Sequence, residues 1–254
     1  LLLFMVSTIE ASHIAGAELV YSCNGNNNYR IRLKLYRDCL NGNQAAGYDD
    51  PLELYIFRSS DGSVYDTYFV PAPTSIPEIQ PDNWNACVGT PYNICVQEGT
   101  YEVTVNLPPN AAGYDIGWTR CCRNNVITNF LNPECEGITF LAHVPGSAAA
   151  TCNSMPEFNN TPSVFLCAGE TYYFDYSATD VDGDSLAYAI TTPFTGINSQ
   201  GLGTGDGGLQ PVCGSTLPPQ LGPLNPMGPP PYNPVQYAPG HSASNPFGPG
   251  SFAS

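Results

Sequence analysis

The chemically densest stretch of the sequence is an acidic run in its second half, where Asp180, Asp182 and Asp184 occupy alternate positions. Ca²⁺ takes about six to eight oxygen ligands, so carboxylates spaced this closely suit it. An EF-hand loop does not fit, because Ser185 stands where Gly is needed and Thr191 where Glu is needed. Two interpretations remain open: a β-sandwich turn that binds Ca²⁺ through the three aspartates, and a solvated Asp/Gly turn without a metal.

Ten cysteines form the second set of chemically capable residues. Zinc sites use closely spaced Cys or His pairs, but the chain has no C-x-x-C, and its one adjacent pair is Cys121-Cys122. Neighbours on a strand point to opposite faces, so we expect these two to bond different partners. In an exported chain an even set of cysteines indicates disulfides, and all ten are candidates: Cys23, Cys39, Cys87, Cys95, Cys121, Cys122, Cys135, Cys152, Cys167 and Cys213.

The histidines do not indicate an enzyme. His143 ends a strand pattern, which is typical of a half-buried packing residue. His241 lies one residue short of a G-x-S-x-G nucleophile elbow, because Ser244 replaces the final Gly, and that elbow needs an α/β sheet that the sequence does not predict. The sequence also lacks the zinc-protease, P-loop and dinucleotide-binding motifs. We therefore predict no catalytic residues and no enzyme activity.

The N-terminal residues predict export. Leu1–Val6 is a short apolar run, and the small residues after it suit signal peptidase, so we expect a signal peptide over residues 1–11 that is incomplete at its N-terminus. The run is far shorter than the ~20 residues of a membrane-spanning helix, and no other stretch qualifies, so no transmembrane segment is expected. The predicted location is secreted or cell-surface.

Net charge limits the partners. The formal charge is −15 with seven Lys and Arg residues, and none of them follows Arg123. Nucleic acid, a dense polyanion, is excluded as a partner. The partners that we predict are other domains of the same polypeptide and surface glycans or proteins. Trp84, Trp118 and the many tyrosines could form a sugar-stacking face, although core packing is the default for aromatic residues at strand spacing.

The elements that position these residues are predicted to be β-strands. Tyr29–Arg37 alternates apolar with charged residues, as a half-buried strand does. The segment before it, Asn24–Asn28, has the Gly and Asn composition of a tight turn. We therefore expect Ala17–Cys23 to be the hairpin partner. Many short strands without helices predict an all-β sandwich or barrel, and the sandwich is favoured in a secreted chain. Further strand patterns occur at Leu52–Arg58, Val64–Val70, Tyr101–Leu107, Tyr114–Cys121 and Ile138–Val144.

A domain boundary is predicted near residue 150, between a disulfide-rich β-sandwich over residues 12–150 and a second β-sandwich over residues 151–254. Cys135 and Cys152 flank the boundary, so a disulfide there could fasten the junction. The second domain has its own strand series, at Val164–Cys167, Thr171–Tyr176 and Ser185–Thr191.

Residues 196–234 are predicted to be a Pro/Gly-rich insertion without a core role, either a passive spacer or an exposed binding loop. Cysteines in strands or at strand ends, such as Cys23, Cys39 and Cys95, are expected to tie the sheets together. Cys213 alone lies in the insertion, so we expect it to stand apart from that framework.

Distinctive motifs are spread along nearly the whole mature chain: His13–Glu18, Tyr21–Cys23, Leu33–Cys39, Cys95–Tyr101, Arg120–Asn125, Ser177–Leu186 and Ala238–Pro246. With them the chain resembles the N-terminal region of large surface proteins of gliding-type Bacteroidota. Such proteins are adhesin-like, carry PKD, cadherin-like or other Ig-like repeats, and often end in a sorting domain for type IX secretion. The resemblance implies a cadherin-like or Ig-like second domain whose closing strands are absent, and therefore a C-terminal truncation. It also favours Ca²⁺, because Asp180–Leu186 matches the D-x-D-G-D-x-L turn of cadherin-like repeats.

The function that follows is that of a non-enzymatic extracellular module of a bacterial surface or secreted adhesin-like protein, with a role in adhesion, display or gliding. The alternative is a carbohydrate-binding or accessory domain of a secreted polysaccharide-degrading enzyme. A catalytic domain further along the polypeptide would favour the alternative, whereas more repeats and a sorting domain would favour the adhesin. No cofactor other than Ca²⁺ is predicted.

Overall fold

A computed structural model describes residues 14–40, 47–80, 94–120, 123–124, 126–133, 136–163, 165–167, 169–196 and 227–248. Within these ranges the chain forms β-strands and no α-helix, so the predicted all-β class is confirmed. None of the described residues belongs to a helix that could cross a membrane. The strands are β1 (Ile14–Cys23), β2 (Asn28–Asp38), β3 (Leu52–Arg58), β4 (Val64–Val70), β5 (Val96–Asn106), β6 (Tyr114–Arg120), β7 (Ile138–Val144), β8 (Glu157–Phe158) and β9 (Ala178–Thr179).

Several features that the sequence singles out lie outside the described ranges. They include the predicted signal peptide and most of the Pro/Gly-rich insertion. The individual residues are His13, Trp84, Cys87, Cys121, Cys122, Cys135 and Cys213. What the sequence predicts for them stays a prediction.

The first sheet has three antiparallel strands in the order β1-β2-β5. The β1–β2 hairpin turns at Gly25, Asn26 and Asn27, whose φ angles are 81°, 52° and 61°. This left-handed region is the one that Gly and Asn tolerate best, so the Asn-rich turn predicted from the sequence is confirmed. The predicted alternation is observed in β2. Ile31 and Leu33 are 1% and 2% exposed, and the charged residues that alternate with them, Arg30, Arg32 and Lys34, face outward.

The second sheet has four antiparallel strands in the order β4-β3-β6-β7. Its inner face packs on the inner face of the first sheet, and the two faces share one core. Leu52, Ile56, Ile116 and Trp118 contribute to it from the second sheet, each at most 2% exposed. Removing such side chains from water is the main stabilising force of a sandwich, and the predicted β-sandwich is confirmed.

The outer face of the four-stranded sheet is covered by a later part of the chain. Tyr55 and Phe57 point away from the main core, yet they are only 8% and 0% exposed because Met227 packs on them. A side chain at Gly117 would collide with Met227, so glycine lets this cover lie close to the sheet. Residues 227–234 belong to the insertion that was expected to have no core role. That expectation is wrong for residues 227–234. The outer face of β3 is apolar, and this segment removes it from water.

Two disulfides brace the described residues. Cys39–Cys95 joins the end of β2 to the start of β5, with Cα atoms 5.2 Å apart. Cys23–Cys152 joins the end of β1 to the chain after β7, with Cα atoms 5.1 Å apart. The expectation that the bridges tie the two sheets together needs correction, because β2 and β5 are neighbours and Cys39 and Cys95 therefore meet within one sheet. Cys167 is disulfide-bonded as well.

The chain after residue 150 is attached to the first sheet. Because Cys152 bonds Cys23, the junction is fastened to β1 and not to Cys135, the other cysteine that flanks it. Arg32 on β2 forms an ion pair with Glu157 on β8, so β8 lies over the outer face of the first sheet. The predicted domain boundary near residue 150 stays a prediction.

Residues 151–196 contain one two-stranded sheet, β8–β9, within the described ranges. The sequence predicted strands at Thr171–Tyr176 and Ser185–Thr191, and the structure assigns none there. Alternation persists, since ring contacts join Tyr172 to Phe174 (6.3 Å between centroids) and Phe174 to Tyr176 (4.5 Å). A strand also needs a paired neighbour, which alternation along the sequence does not reveal. A cadherin-like or Ig-like second sandwich stays a prediction.

Candidate functional site

The Asp loop (Asp180–Asp184) follows β9 and is folded by its own carboxylates. Asp180 Oδ1 accepts the backbone N–H groups of Asp182 (2.9 Å) and Asp184 (3.2 Å). This pattern is a side-chain-to-backbone turn of the kind that Asp favours. Asp182 Oδ2 in turn accepts the backbone N–H of Ser154 at 2.5 Å, which connects the loop to the segment beside the Cys23–Cys152 disulfide.

These contacts give two of the three predicted Ca²⁺ ligands a structural role. Ser154 is 3% exposed, so its N–H needs the acceptor that Asp182 supplies. No group of three or more His, Cys, Asp or Glu side chains in the described part of the chain is arranged to hold a metal ion. Ca²⁺ at Asp180, Asp182 and Asp184 stays a prediction, and a metal-free Asp/Gly turn accounts for the observed hydrogen bonds.

The Arg120–Asn125 motif builds a polar junction at one end of the sandwich. Arg120 forms an ion pair with Asp49, and Asn124 donates from Nδ2 to Asp38 Oδ2 at 2.9 Å. Burial raises the pKa of Asp49, and the nearby Arg120 opposes that shift. Since Asp38 ends β2 and Asp49 precedes β3, the motif fastens both ends of the β2–β3 connection.

Arg123 extends this junction toward the C-terminal cover, by which we mean residues 227–234 and the residues 193–196 that pair with them. Its guanidinium donates from Nε to the carbonyl of Gly137 (3.0 Å) and from Nη2 to the carbonyl of Phe194 (2.8 Å), and it lies 5.1 Å from the ring centroid of Phe130. The residue is 5% exposed, and burial lowers the pKa of Arg123 to about 10, so it stays charged at neutral pH. Sequence reasoning assigned it no role. Two features of the sequence could have indicated its role: Arg123 is the last Lys or Arg of the chain, and it lies inside a distinctive motif.

The histidines form no catalytic relay within the described residues. The His143 side chain points outward from the end of β7, where it is 52% exposed, and it is not part of the core packing that the sequence predicts for it. Its Nδ1 lies 2.8 Å from Asp115 Oδ1 and 3.5 Å from Ser59 Oγ. A Ser-His-Asp relay needs the serine and the carboxylate on opposite ring nitrogens, whereas both approach Nδ1 here. The backbone N–H of His241 donates to the carbonyl of Ala238 in a turn, and the described residues after it, 242–248, form no helix.

Trp118 is a core residue. It is 2% exposed, and its ring stacks on that of Phe140 with 6.1 Å between centroids. A sugar ring therefore has no access to it. Of the two tryptophans considered for a sugar-stacking face, Trp118 is ruled out and Trp84 lies outside the described residues.

Exposed aromatic side chains surround β8 and β9. Tyr176 precedes Ala178 by two residues, so both lie on the same face of the extended chain. Phe158 pairs with Ala178 in the β8–β9 ladder, and the hydroxyl of Tyr188 accepts the N–H of Ala178 at 3.1 Å. The ring contacts described above continue this surface from Tyr176. We call it the aromatic patch, and its members are Phe158, Tyr172, Phe174, Tyr176 and Tyr188.

The aromatic patch is exposed, and an acidic side chain adjoins it in sequence. Tyr176, Tyr188 and Phe158 are 60%, 58% and 54% exposed. Asp175 lies between Phe174 and Tyr176 in the chain, and its side chain accepts hydrogen bonds from the backbone N–H of Ser177 (2.9 Å) and from an amide nitrogen of Asn160 (3.2 Å). The Ser177 N–H lowers the pKa of Asp175, so the carboxylate is charged. Alternation directs this carboxylate to the opposite face of the extended chain from the two rings, so rings and negative charge share one segment but not one face.

Neither family models, nor curated proteins, nor solved structures match this chain significantly. Function is therefore inferred from the surfaces of the molecule and from its sequence motifs.

Proposed function

We propose that this chain is a non-enzymatic extracellular binding module of a bacterial surface or secreted adhesin-like protein of the gliding Bacteroidota type. The observation that carries the proposal is the aromatic patch, three of whose rings are more than half exposed. Single exposed apolar residues are ordinary, but a contiguous group of them marks an interaction surface. The disulfides support an extracellular location, because such bonds persist in oxidising compartments.

The distinctive polar motif supports a scaffold role. Arg120, Arg123 and Asn124 all use their side chains to hold loops or the C-terminal cover in place. They are therefore occupied within the fold, which leaves partner binding to other surfaces. A scaffold held rigid in this way loses less conformational freedom when its surface binds a partner.

The non-enzymatic part of the proposal is supported by the arrangement at His143, where Ser59 and Asp115 share one ring nitrogen. Trp118 does not support the carbohydrate-binding alternative, because its side chain is buried in the core. Among the described residues no observation favours that alternative over the adhesin. Display on the cell surface through type IX secretion is part of the proposal, and the sequence motifs alone support it.

An adhesion assay tests the proposal. Beads coated with the oxidised protein should adhere to bacterial or host-cell surfaces above albumin-coated beads, and Tyr176→Ala/Tyr188→Ala should remove most of the excess. Phe69→Ala is the matched control, because Phe69 is 63% exposed but lies on β4, outside the aromatic patch.

A localisation experiment in the native host completes the test. Antibodies against the chain should label intact cells or the culture medium. Retention in the cytoplasm, or coated beads that adhere no better than albumin-coated ones, would refute the proposed role.

A further inference from the structure

We propose that the aromatic patch binds a cationic polypeptide segment, rich in lysine or arginine. This inference rests on the proposed binding role and names the chemistry of its partner. The observation that carries it is a group of exposed rings on a segment whose charged side chains are all carboxylates, in a part of the chain that contains no Lys or Arg.

The first observation is charge. No Lys or Arg follows Arg123, whereas Glu170, Asp175 and the Asp loop all lie within or beside the aromatic patch in sequence. Among the described residues, the ion pair of this region is the one that Glu157 makes with Arg32 of the first sheet. Neither Asp175 nor Glu170 has an ion pair within the described ranges. The segment that bears the patch therefore has a negative charge that no Lys or Arg of the same segment offsets.

The second observation is the exposure and orientation of the rings. Aromatic faces attract lysine and arginine side chains placed within about 6 Å of the ring centroid. The same chain already makes this contact twice internally: Arg58 lies 5.0 Å from the Tyr65 centroid, and Arg123 lies 5.1 Å from that of Phe130. In the patch, Tyr176 and Tyr188 have open surface at which an external cation can make the same contact.

Two other occupants fit less well. A second copy of this chain carries the same −15 charge, so the two would repel each other. A neutral glycan can stack on a ring but gains no attraction from the carboxylates of this segment. A lysine or arginine side chain can contact a ring face and is also attracted by that charge.

The test uses the oxidised full chain and a fluorescent peptide of alternating lysine and glycine. Fluorescence anisotropy should show binding that weakens as salt rises, since carboxylates contribute to it. The same peptide with trimethylated lysines should still bind, because a cation–ring contact needs charge and no N–H donor. The acetylated peptide and a glutamate-glycine peptide should not bind.

Variants separate the aromatic patch from net charge. Tyr176→Ala/Tyr188→Ala should weaken binding about 5- to 20-fold, from about two- to fivefold for each ring. Tyr188→Phe should bind like the wild type, because the ring remains, and Phe69→Ala should leave binding unchanged. Far-ultraviolet circular dichroism should establish that every variant is folded before it is measured.

Several outcomes would overturn the inference. Unchanged binding in the patch double variant, as in Phe69→Ala, would reduce the binding to attraction by net charge, which neither variant alters. Competition by a neutral oligosaccharide would assign the aromatic patch to a glycan. Lysine-peptide binding without adhesion would refute the adhesin role and leave the partner class standing, whereas adhesion that depends on the patch without peptide binding would refute the partner class alone.

Discussion

Replacing Arg123 with methionine should destabilise the protein by about 2 kcal/mol, and the structure lets the opposing contributions be weighed. Methionine has a similar length and no charge, so Arg123→Met removes the two hydrogen bonds to the carbonyls of Gly137 and Phe194 while keeping much of the packing. It also removes the contact with the ring of Phe130. The same change relieves the cost of holding a charge at a site that is 5% exposed.

The balance favours arginine. Desolvation lowers the pKa of Arg123 to about 10, and this shift corresponds to roughly 3 kcal/mol against the charged form in the fold. Hydrogen bonds from a charged donor contribute about 1.5–3 kcal/mol each, and a desolvated cation–ring contact adds about 1–2 kcal/mol. The interactions exceed the desolvation cost by a few kcal/mol. Methionine would also leave two carbonyls without their donor.

Urea unfolding of the oxidised protein measures this difference, with Arg58→Met as the matched control. Arg58 also lies over a ring, that of Tyr65, but its hydrogen bond to the Ser63 hydroxyl is exposed to solvent. Arg58→Met should therefore lower the free energy of unfolding by less than about 0.5 kcal/mol. Amide exchange at Thr195, whose N–H donates to Asn233, should accelerate only in Arg123→Met. An Arg123→Met protein as stable as the wild type, or no less stable than Arg58→Met, would refute the reasoning.

Three further predictions concern the scaffold. Cys23→Ser/Cys152→Ser should lower the unfolding free energy by about 5 kcal/mol in denaturant titration, because the bond closes a loop with a sequence separation of 129, and a loss below about 1 kcal/mol would contradict a structural role. Trp118→Ala should cost about 3–5 kcal/mol in the same titration, and a near-neutral result would mean that the ring is not in the core. Asp182→Ala should cost about 1–2 kcal/mol by thermal unfolding, equally with Ca²⁺ and with a chelator, because it strips the Ser154 N–H of its acceptor. Stabilisation by Ca²⁺ in the wild type alone would instead establish the cation site.

Local pattern was enough to predict the strands of the sandwich. β3, β4 and β7 have the bounds that alternation indicates, and the turn before β2 has the left-handed Gly and Asn residues that its composition requires. These features depend on near neighbours in the chain, and a single strand segment contains the full signal for its own burial pattern.

Long-range contacts were beyond the sequence. Alternation in β3 does not reveal that Met227 covers its outer face, and spacing does not reveal that Cys152 bonds Cys23. The Asp loop looks like a metal turn because carboxylates suit both Ca²⁺ and backbone N–H groups, and only the position of Ser154 identifies the acceptor role of Asp182. Such contacts depend on how the strands are arranged in the fold. The strand patterns in the sequence are compatible with many arrangements, so they do not identify these contacts.

Peptide mapping of the protein isolated from its native host, digested without reduction, tests most directly whether this chain is a disulfide-braced extracellular module. Mass spectrometry should find Cys23 linked to Cys152 and Cys39 linked to Cys95, as in the structure. Free thiols at these four positions, or linkage of any of them to a different cysteine, would contradict both the extracellular location and the fold described for it.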